Sequence, residues 1–124
     1  MEQRLMRYLQ ALEAAGRESA RLIGQLEKED RQDEADLEKI RRNVYGICAS
    51  LANADAALAR KAADPAAEFE GRHRQRLQSF PEPWRQKREK AAAHGDVIAA
   101  TIEETKLNTI ARIREMFLET EAQP

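Results

Sequence analysis

Apolar side chains recur along the first half of the chain in alternating steps of four and three. Leu5, Leu9, Leu12, Gly16, Ser19, Ile23, Leu26, Asp30, Asp33, Leu37, Ile40, Val44, Ile47, Leu51, Ala54 and Leu58 all hold this phase. Such steps average ~3.5 residues, the coiled-coil spacing that keeps one edge of a helix against a partner helix. The seam turns polar at Asp30 and Asp33, inside the run from Glu27 to Glu34. Two structures satisfy it. One is an unbroken helix from about Glu2 to Ala62, ~90 Å long at 1.5 Å per residue. The other is a hairpin with a tight turn over Asp30–Asp33, in which Asp33 caps the second helix and Asp36 follows three residues on. The matched phase and the lack of Gly or Pro speak for the unbroken helix. Arms of near-equal length that bury their stripes against each other speak for the hairpin, which is the expectation.

Ala63-Asp64-Pro65 marks a clearer boundary, since Asp64 can cap a helix whose first residue is Pro65. Phe69, His73, Leu77 and Phe80 then fall on one helical face. Ser79-Phe80-Pro81-Glu82-Pro83-Trp84 interrupts that helix, because proline restrains both itself and its predecessor, and Pro83 is placed to open the next one. The final helix runs through Trp84, Ala91, Ile98, Ile102, Ile113 and Phe117 towards Glu119. His94-Gly95 resembles a helix end and Asp96 a fresh cap, yet the stripe keeps its phase across the glycine. A kink or short break is therefore expected there, not a reversal. Beyond Glu121 only Ala122, Gln123 and Pro124 remain as a tail. The fold expected is all-α: one domain over residues 1–124, an elongated antiparallel bundle of three or four main helices.

Composition narrows the class. Ala, Glu, Lys, Leu and Arg fill 70 of the 124 positions, above the roughly 50% that marks long helices. Val and Thr are scarce, so a sheet-based enzyme fold is excluded. The near-neutral net charge of −1 argues against disorder and for no particular partner. No apolar run approaches the ~20 residues that a bilayer requires. The charged start Met1-Glu2-Gln3-Arg4-Leu5 lacks the apolar core of a secretory signal. A lone cysteine, Cys48, fits a reducing interior. A cytoplasmic protein with no membrane contact is expected.

Candidate chemistry is sparse. His73 and His94 are the only histidines, so a zinc site of His and Cys lacks ligands. Carboxylate-bridged metal sites in bundles use Glu-x-x-His twice, because that spacing puts both ligands on one face. Glu70-Gly71-Arg72-His73 supplies it once, and Ala91 stands where the second glutamate would precede His94. His73 is instead expected to be a partly buried imidazole between Phe69 and Leu77 with its nitrogens hydrogen-bonded. No base lies one turn from Cys48, which reads as a small packing residue. Adjacent Glu103 and Glu104 point about 100° apart and cannot share a proton. No glycine-rich phosphate loop or nucleophile elbow occurs. Neither a cofactor nor an enzymatic activity is expected.

Charge patterning shows the most contrast. Residues 27–38 hold seven acids against Lys28 and Arg31, a balance of −5, whereas residues 72–90 hold seven bases against Glu82 and Glu89, a balance of +5. The basic block, with Phe80 and Trp84 within it, suits a nucleic-acid surface. Its charges fall on several helical faces, however, which favours solvated side chains. A third possibility sets the acidic elbow against the basic block, within a chain or between chains. Trp84 reads as a core anchor or an interface residue. The leading functional expectation is a non-enzymatic helical interaction protein acting through self-association or a protein partner, with Trp84, Arg85, Lys87, Arg88 and Tyr45 as candidate contacts. The alternatives are a nucleic-acid-associated regulator using residues 72–90 and a carboxylate-metal bundle enzyme. The seam around Val44 and Tyr45 and the broad arc of Ile98, Ile102, Ile110, Ile113 and Phe117 suggest a homodimer, with Val44 and Ile113 at its interface.

Overall fold

The computed structural model describes residues 1–121; Ala122, Gln123 and Pro124 lie outside the described residues. Five helices follow one another: α1 (Glu2–Lys28), α2 (Gln32–Ala59), α3 (Pro65–Ser79), α4 (Glu82–Ala93) and α5 (Val97–Glu121). The all-α bundle forms as expected. α1 packs on α2, α2 on α3 and α5, and α4 on α5, with α5 closing back onto α1. In effect α3 and α4 form one bent third arm, and α5 is the fourth.

The turn between α1 and α2 is the hairpin. The N–H of Arg31 donates to the Leu26 carbonyl at 2.9 Å and that of Asp30 to Glu27 at 3.2 Å, while Asp30 takes the left-handed conformation with φ of 57°. This is a Schellman closure, in which backbone donors satisfy the last carbonyls of the helix and reverse the chain. Aspartate tolerates that conformation better than most residues, so the turn needs no glycine. The expected capping role of Asp33 is not realised. Arg31 occupies the N-cap of α2 with no side-chain cap, and Asp33 sits in the first turn, where its charge favours the positive helix end. At α3 the expectation holds: the Asp64 carboxylate accepts from the Ala67 N–H at 3.2 Å, with Pro65 as the first residue. Phe80 and Pro81 then form the bend, and Pro83 lies one residue inside α4.

Gly95 reverses the chain, contrary to the kink expected from the preserved stripe. Its φ is 70°, and the N–H groups of Asp96 and Gly95 donate to Ala91 at 2.9 Å and Ala92 at 3.1 Å. These bonds make a second Schellman closure, and Asp96 then accepts from the Ala99 N–H at 3.0 Å to start α5. α4 consequently folds back along α5, with the Lys106 ammonium 5.8 Å from the Trp84 ring centre. The common phase on either side of Gly95 arises because both helices turn apolar faces to one another.

The ends of the bundle differ. Arg60, just past α2, donates to Glu2 at 2.8 and 3.0 Å, and Arg4 donates to the Phe117 carbonyl at 2.9 Å. The start of α1 and the ends of α2 and α5 thus share a closed end, and the elbow at 29–31 and the turn at 94–96 share the opposite, open end. Leu5, Tyr8, Leu12, Val44, Cys48, Phe69, Leu77, Ile110, Ile113 and Phe117 make a core towards the closed end. In α1 the buried residues Leu5, Leu12, Ser19 and Ile23 follow the expected seam. In α2 the buried residues Glu38, Tyr45, Cys48, Ala52, Asp55 and Ala59 lie one position past the seam, while Val44 is buried on the seam itself. Leu37, Ile40, Ile47 and Leu51 remain half-buried, and Leu58 is exposed. Val44 and Ile113 are 1% and 0% exposed within one chain, so they are core residues and not the dimer contacts expected from their arcs.

The glycines give a stability test. Gly95→Ala forces a β-carbon into left-handed backbone and is expected to cost about 1–2 kcal/mol. Gly24, exposed in the C-terminal part of α1 with nothing within 4 Å of an added Cβ, should gain about 0.5–1 kcal/mol as alanine. Urea unfolding followed by circular dichroism reads both, and a neutral Gly95→Ala would contradict the reversal.

Candidate functional site

Two arrangements bring reactive or recognition side chains together, one sealed and one open. The sealed one begins at His73 on α3, whose helical spacing from Phe69 and Leu77 turns it inward. Its Nδ1 lies 3.0 Å from Asp55 Oδ2 on α2, and its Nε2 lies 2.8 Å from the Tyr8 hydroxyl on α1. Arg76, almost one turn further along α3, donates to Asp55 Oδ1 at 2.8 Å. An ionised Asp55 only accepts, so Nδ1 carries the imidazole proton and Nε2 accepts from the Tyr8 O–H. Every donor then points the same way, from Tyr8 through His73 to Asp55, and Arg76 balances the carboxylate charge. The His73 ring stacks on Phe69 with centroids 5.6 Å apart and meets Phe117 edge-on at 4.9 Å.

Burial and pairing set the protonation states. Desolvation lowers the His73 pKa below its ordinary 6.5, and the Asp55 hydrogen bond offsets this only in part. Burial pushes Asp55 up, but the hydrogen bonds from Arg76 and His73 outweigh it and hold the carboxyl below its usual range. Desolvation drives the Tyr8 phenol far upward. A neutral imidazole, an ionised carboxylate and a protonated phenol are thus the stable set at neutral pH. The constellation has the order of an acid–base relay, yet Tyr8, His73 and Asp55 are each 0–1% exposed. The imidazole is sealed from solvent, and its two hydrogen bonds join α1, α2 and α3.

The Glu-x-x-His pattern does not assemble a ligand set. Glu70 turns to Arg4 and Arg74, His73 uses both nitrogens as described, and no metal-ligating cluster of three or more occurs among the described residues. Cys48 is fully buried, and burial pushes its thiol up to about 12. No helix among the described residues is long and apolar enough to cross a membrane.

The open arrangement is the α4–α5 hairpin. α4 buries none of its residues. Trp84 is half-buried, edge-on to Phe80 at 5.5 Å, and lines a hollow of about 310 Å³ with Ile40, Val44, Ile47 and Lys106. At the far tip Val97 and Ile98 are 73% and 77% exposed. Of the candidate contacts, Arg85 is held by Glu82 at 2.9 Å, whereas Lys87 and Arg88 make no ion pair among the described residues. Tyr45 stands apart from them, buried at 9% exposure within the core. Its place as a surface contact is corrected by the one-position rotation of α2. Arg72, Arg74 and Arg76 are paired with Glu68, Glu70 and Asp55, which leaves the surplus positive charge on α4. Tyr8, Asp55 and Arg76 were not legible as partners of His73. The one available signal is Asp55 itself, a lone acid between Ala52, Ala56 and Ala59.

No protein-family model matches the chain, and no curated protein or solved structure does either.

Removing one member of the sealed chain leaves the others unpaired. Tyr8→Phe strands only Nε2 and should cost about 1–2 kcal/mol. Asp55→Asn removes the charge facing Arg76 and His73 and should cost about 1–3 kcal/mol, since the 39% exposed Arg76 side chain can turn to water. The pH dependence has a definite sign. The unfolded chain takes up a proton at His73 below the ordinary 6.5 while the folded chain refuses it, so stability falls as pH drops below that value. Asp55 extends the fall once pH passes below its ordinary 3.8. Urea midpoints against pH test this, and a midpoint that rises on acidification would contradict it.

Proposed function

We infer that the protein is a non-enzymatic helical interaction protein that acts through self-association or a protein partner. The observation that carries this reading is the apolar tip of the α4–α5 hairpin, where Val97 and Ile98 are 73% and 77% exposed. Val97 and Ile98 are the most exposed large apolar side chains among the described residues, ahead of Met6 at 52% and Leu58 and Leu118 at 46%, and two such neighbours mark a surface that gains by being covered. A second, half-buried apolar surface lies at the other end of α4, where Ile40, Ile47 and Trp84 line the hollow. Pairing of Arg72, Arg74 and Arg76 within the chain weighs against a broad nucleic-acid surface over residues 72–90. A cytoplasmic setting suits Cys48, which is free and buried.

Light scattering tests the reading. The unmodified protein should show a mass above the 14.1 kDa of one chain. Val97→Ser with Ile98→Ser should weaken association about tenfold or more with helix content unchanged. A single-chain mass at high micromolar concentration would contradict self-association.

A further inference from the structure

The α1–α2 elbow and the α4–α5 hairpin reach the same open end of the bundle, and they carry opposite charge. Residues 27–38 have a balance of −5. Their pairing is local: Arg31 meets Glu29 and Glu34, and Lys39 meets Glu27 and Asp36, all exposed, while the buried Glu38 turns inward to Arg41 and Ser19. Contacts of that kind leave the elbow's field negative. On α4, Lys87, Arg88 and Lys90 make no ion pair among the described residues. No ion pair joins the elbow to α4 within one chain, again among the described residues. Each chain therefore presents a basic face without ion pairs on the arm that carries the exposed apolar tip, together with a net-acidic elbow beside the half-buried Leu26 and Leu37. There Glu27 and Glu29 hold only exposed local pairs and Asp33 holds none among the described residues.

Resting on the association reading above, we propose that the occupant of this surface is a second copy of the chain. Lys87, Arg88 and Lys90 of one copy, with Val97 and Ile98, dock on the elbow around Glu27, Glu29 and Asp33 of the other. Because both faces sit at one end, a single two-fold axis satisfies the contact twice and leaves neither face open. The result is a closed dimer, not a filament. Orientation follows from the same charges, since arm-on-arm and elbow-on-elbow pairings set like charges together. Association should accordingly weaken steeply as salt shortens the screening length from ~10 Å at 0.1 M to ~3 Å at 1 M.

A charge-swap cycle on the full chain tests the proposal by analytical ultracentrifugation. The arm variant is Lys87→Glu, Arg88→Glu and Lys90→Glu; the elbow variant is Glu27→Lys, Glu29→Lys and Asp33→Lys. Each alone faces itself with like charge and should dimerise at least about tenfold more weakly than the unmodified chain. Mixed one to one, they restore opposite charge at both contacts and should form a heterodimer within about threefold of the original affinity. Circular dichroism confirms folding, and recovery in the mixture cannot arise from misfolded chains. If the unmodified chain dimerises but either variant does so unchanged, or the mixture fails to recover, this interface is overturned while the association reading stands. A monomeric unmodified chain overturns this interface and self-association together. A monomer that binds a DNA duplex and loses that binding in the arm variant assigns the arm to a polyanion instead.

Discussion

The one-way hydrogen-bond chain from Tyr8 through His73 to Asp55, closed by Arg76, fixes how the helices meet. It draws on α1, α2 and α3, and its imidazole lies between Phe69 and Phe117, so α5 is registered by the same group. A buried imidazole has two polar nitrogens and tolerates neither unpaired. Sliding any of these helices by one residue breaks a bond at 2.8–3.0 Å and strands a polar group in a dry core. Apolar contacts alone would accept several such registers, because alanine-rich faces pack equally well in many phases. The polar chain removes that freedom.

From this constraint follows the asymmetry of the molecule. The closed end holds the rings of Tyr8, Phe69, His73 and Phe117, and Arg4 stacks its guanidinium 4.0 Å from the Phe117 ring centre. Towards the open end, inward positions become polar. Ser19 donates to Glu38 at 2.7 Å, and Glu103 meets Lys106 at 3.3 Å with its other carboxylate oxygen buried and unpaired. Such pairs repay little of their desolvation. Cohesion is therefore weakest where the elbow and the α4–α5 hairpin emerge, and the exposed Val97 and Ile98 lie at that end.

Local sequence carried the fold far. Periodicity located the helices, Asp64-Pro65 marked a real cap, and the seam in α1 matches its buried face at Leu5, Leu12, Ser19 and Ile23. Misreadings share a cause: a stripe reports that a face is apolar, not which neighbour covers it. In α2 the alanines at 52, 56 and 59 let the buried face rotate past Ile47 and Leu51, because Asp55 must reach His73. Across Gly95 a continuous phase disguised a reversal, since both arms of a hairpin turn apolar faces to each other. Of the sealed site, His73 was legible as a hydrogen-bonded core histidine between Phe69 and Leu77. Its partners stand 18 and 65 residues away in the chain, a separation that no local pattern encodes. Of the residues expected as contacts, Trp84, Lys87 and Arg88 lie on the α4–α5 hairpin, Tyr45 is drawn into the core, and the exposed Val97 and Ile98 were not among them.

Nitrogen-15 NMR of the His73 imidazole through an acid titration addresses the central constraint most directly. A register held by the polar chain requires the proton on Nδ1, an Nε2 shift typical of a hydrogen-bond acceptor, and a ring that stays neutral below 6.5 until the fold is lost. An imidazole protonated on Nε2, or one that titrates freely at or above 6.5 with the helices intact, would contradict it.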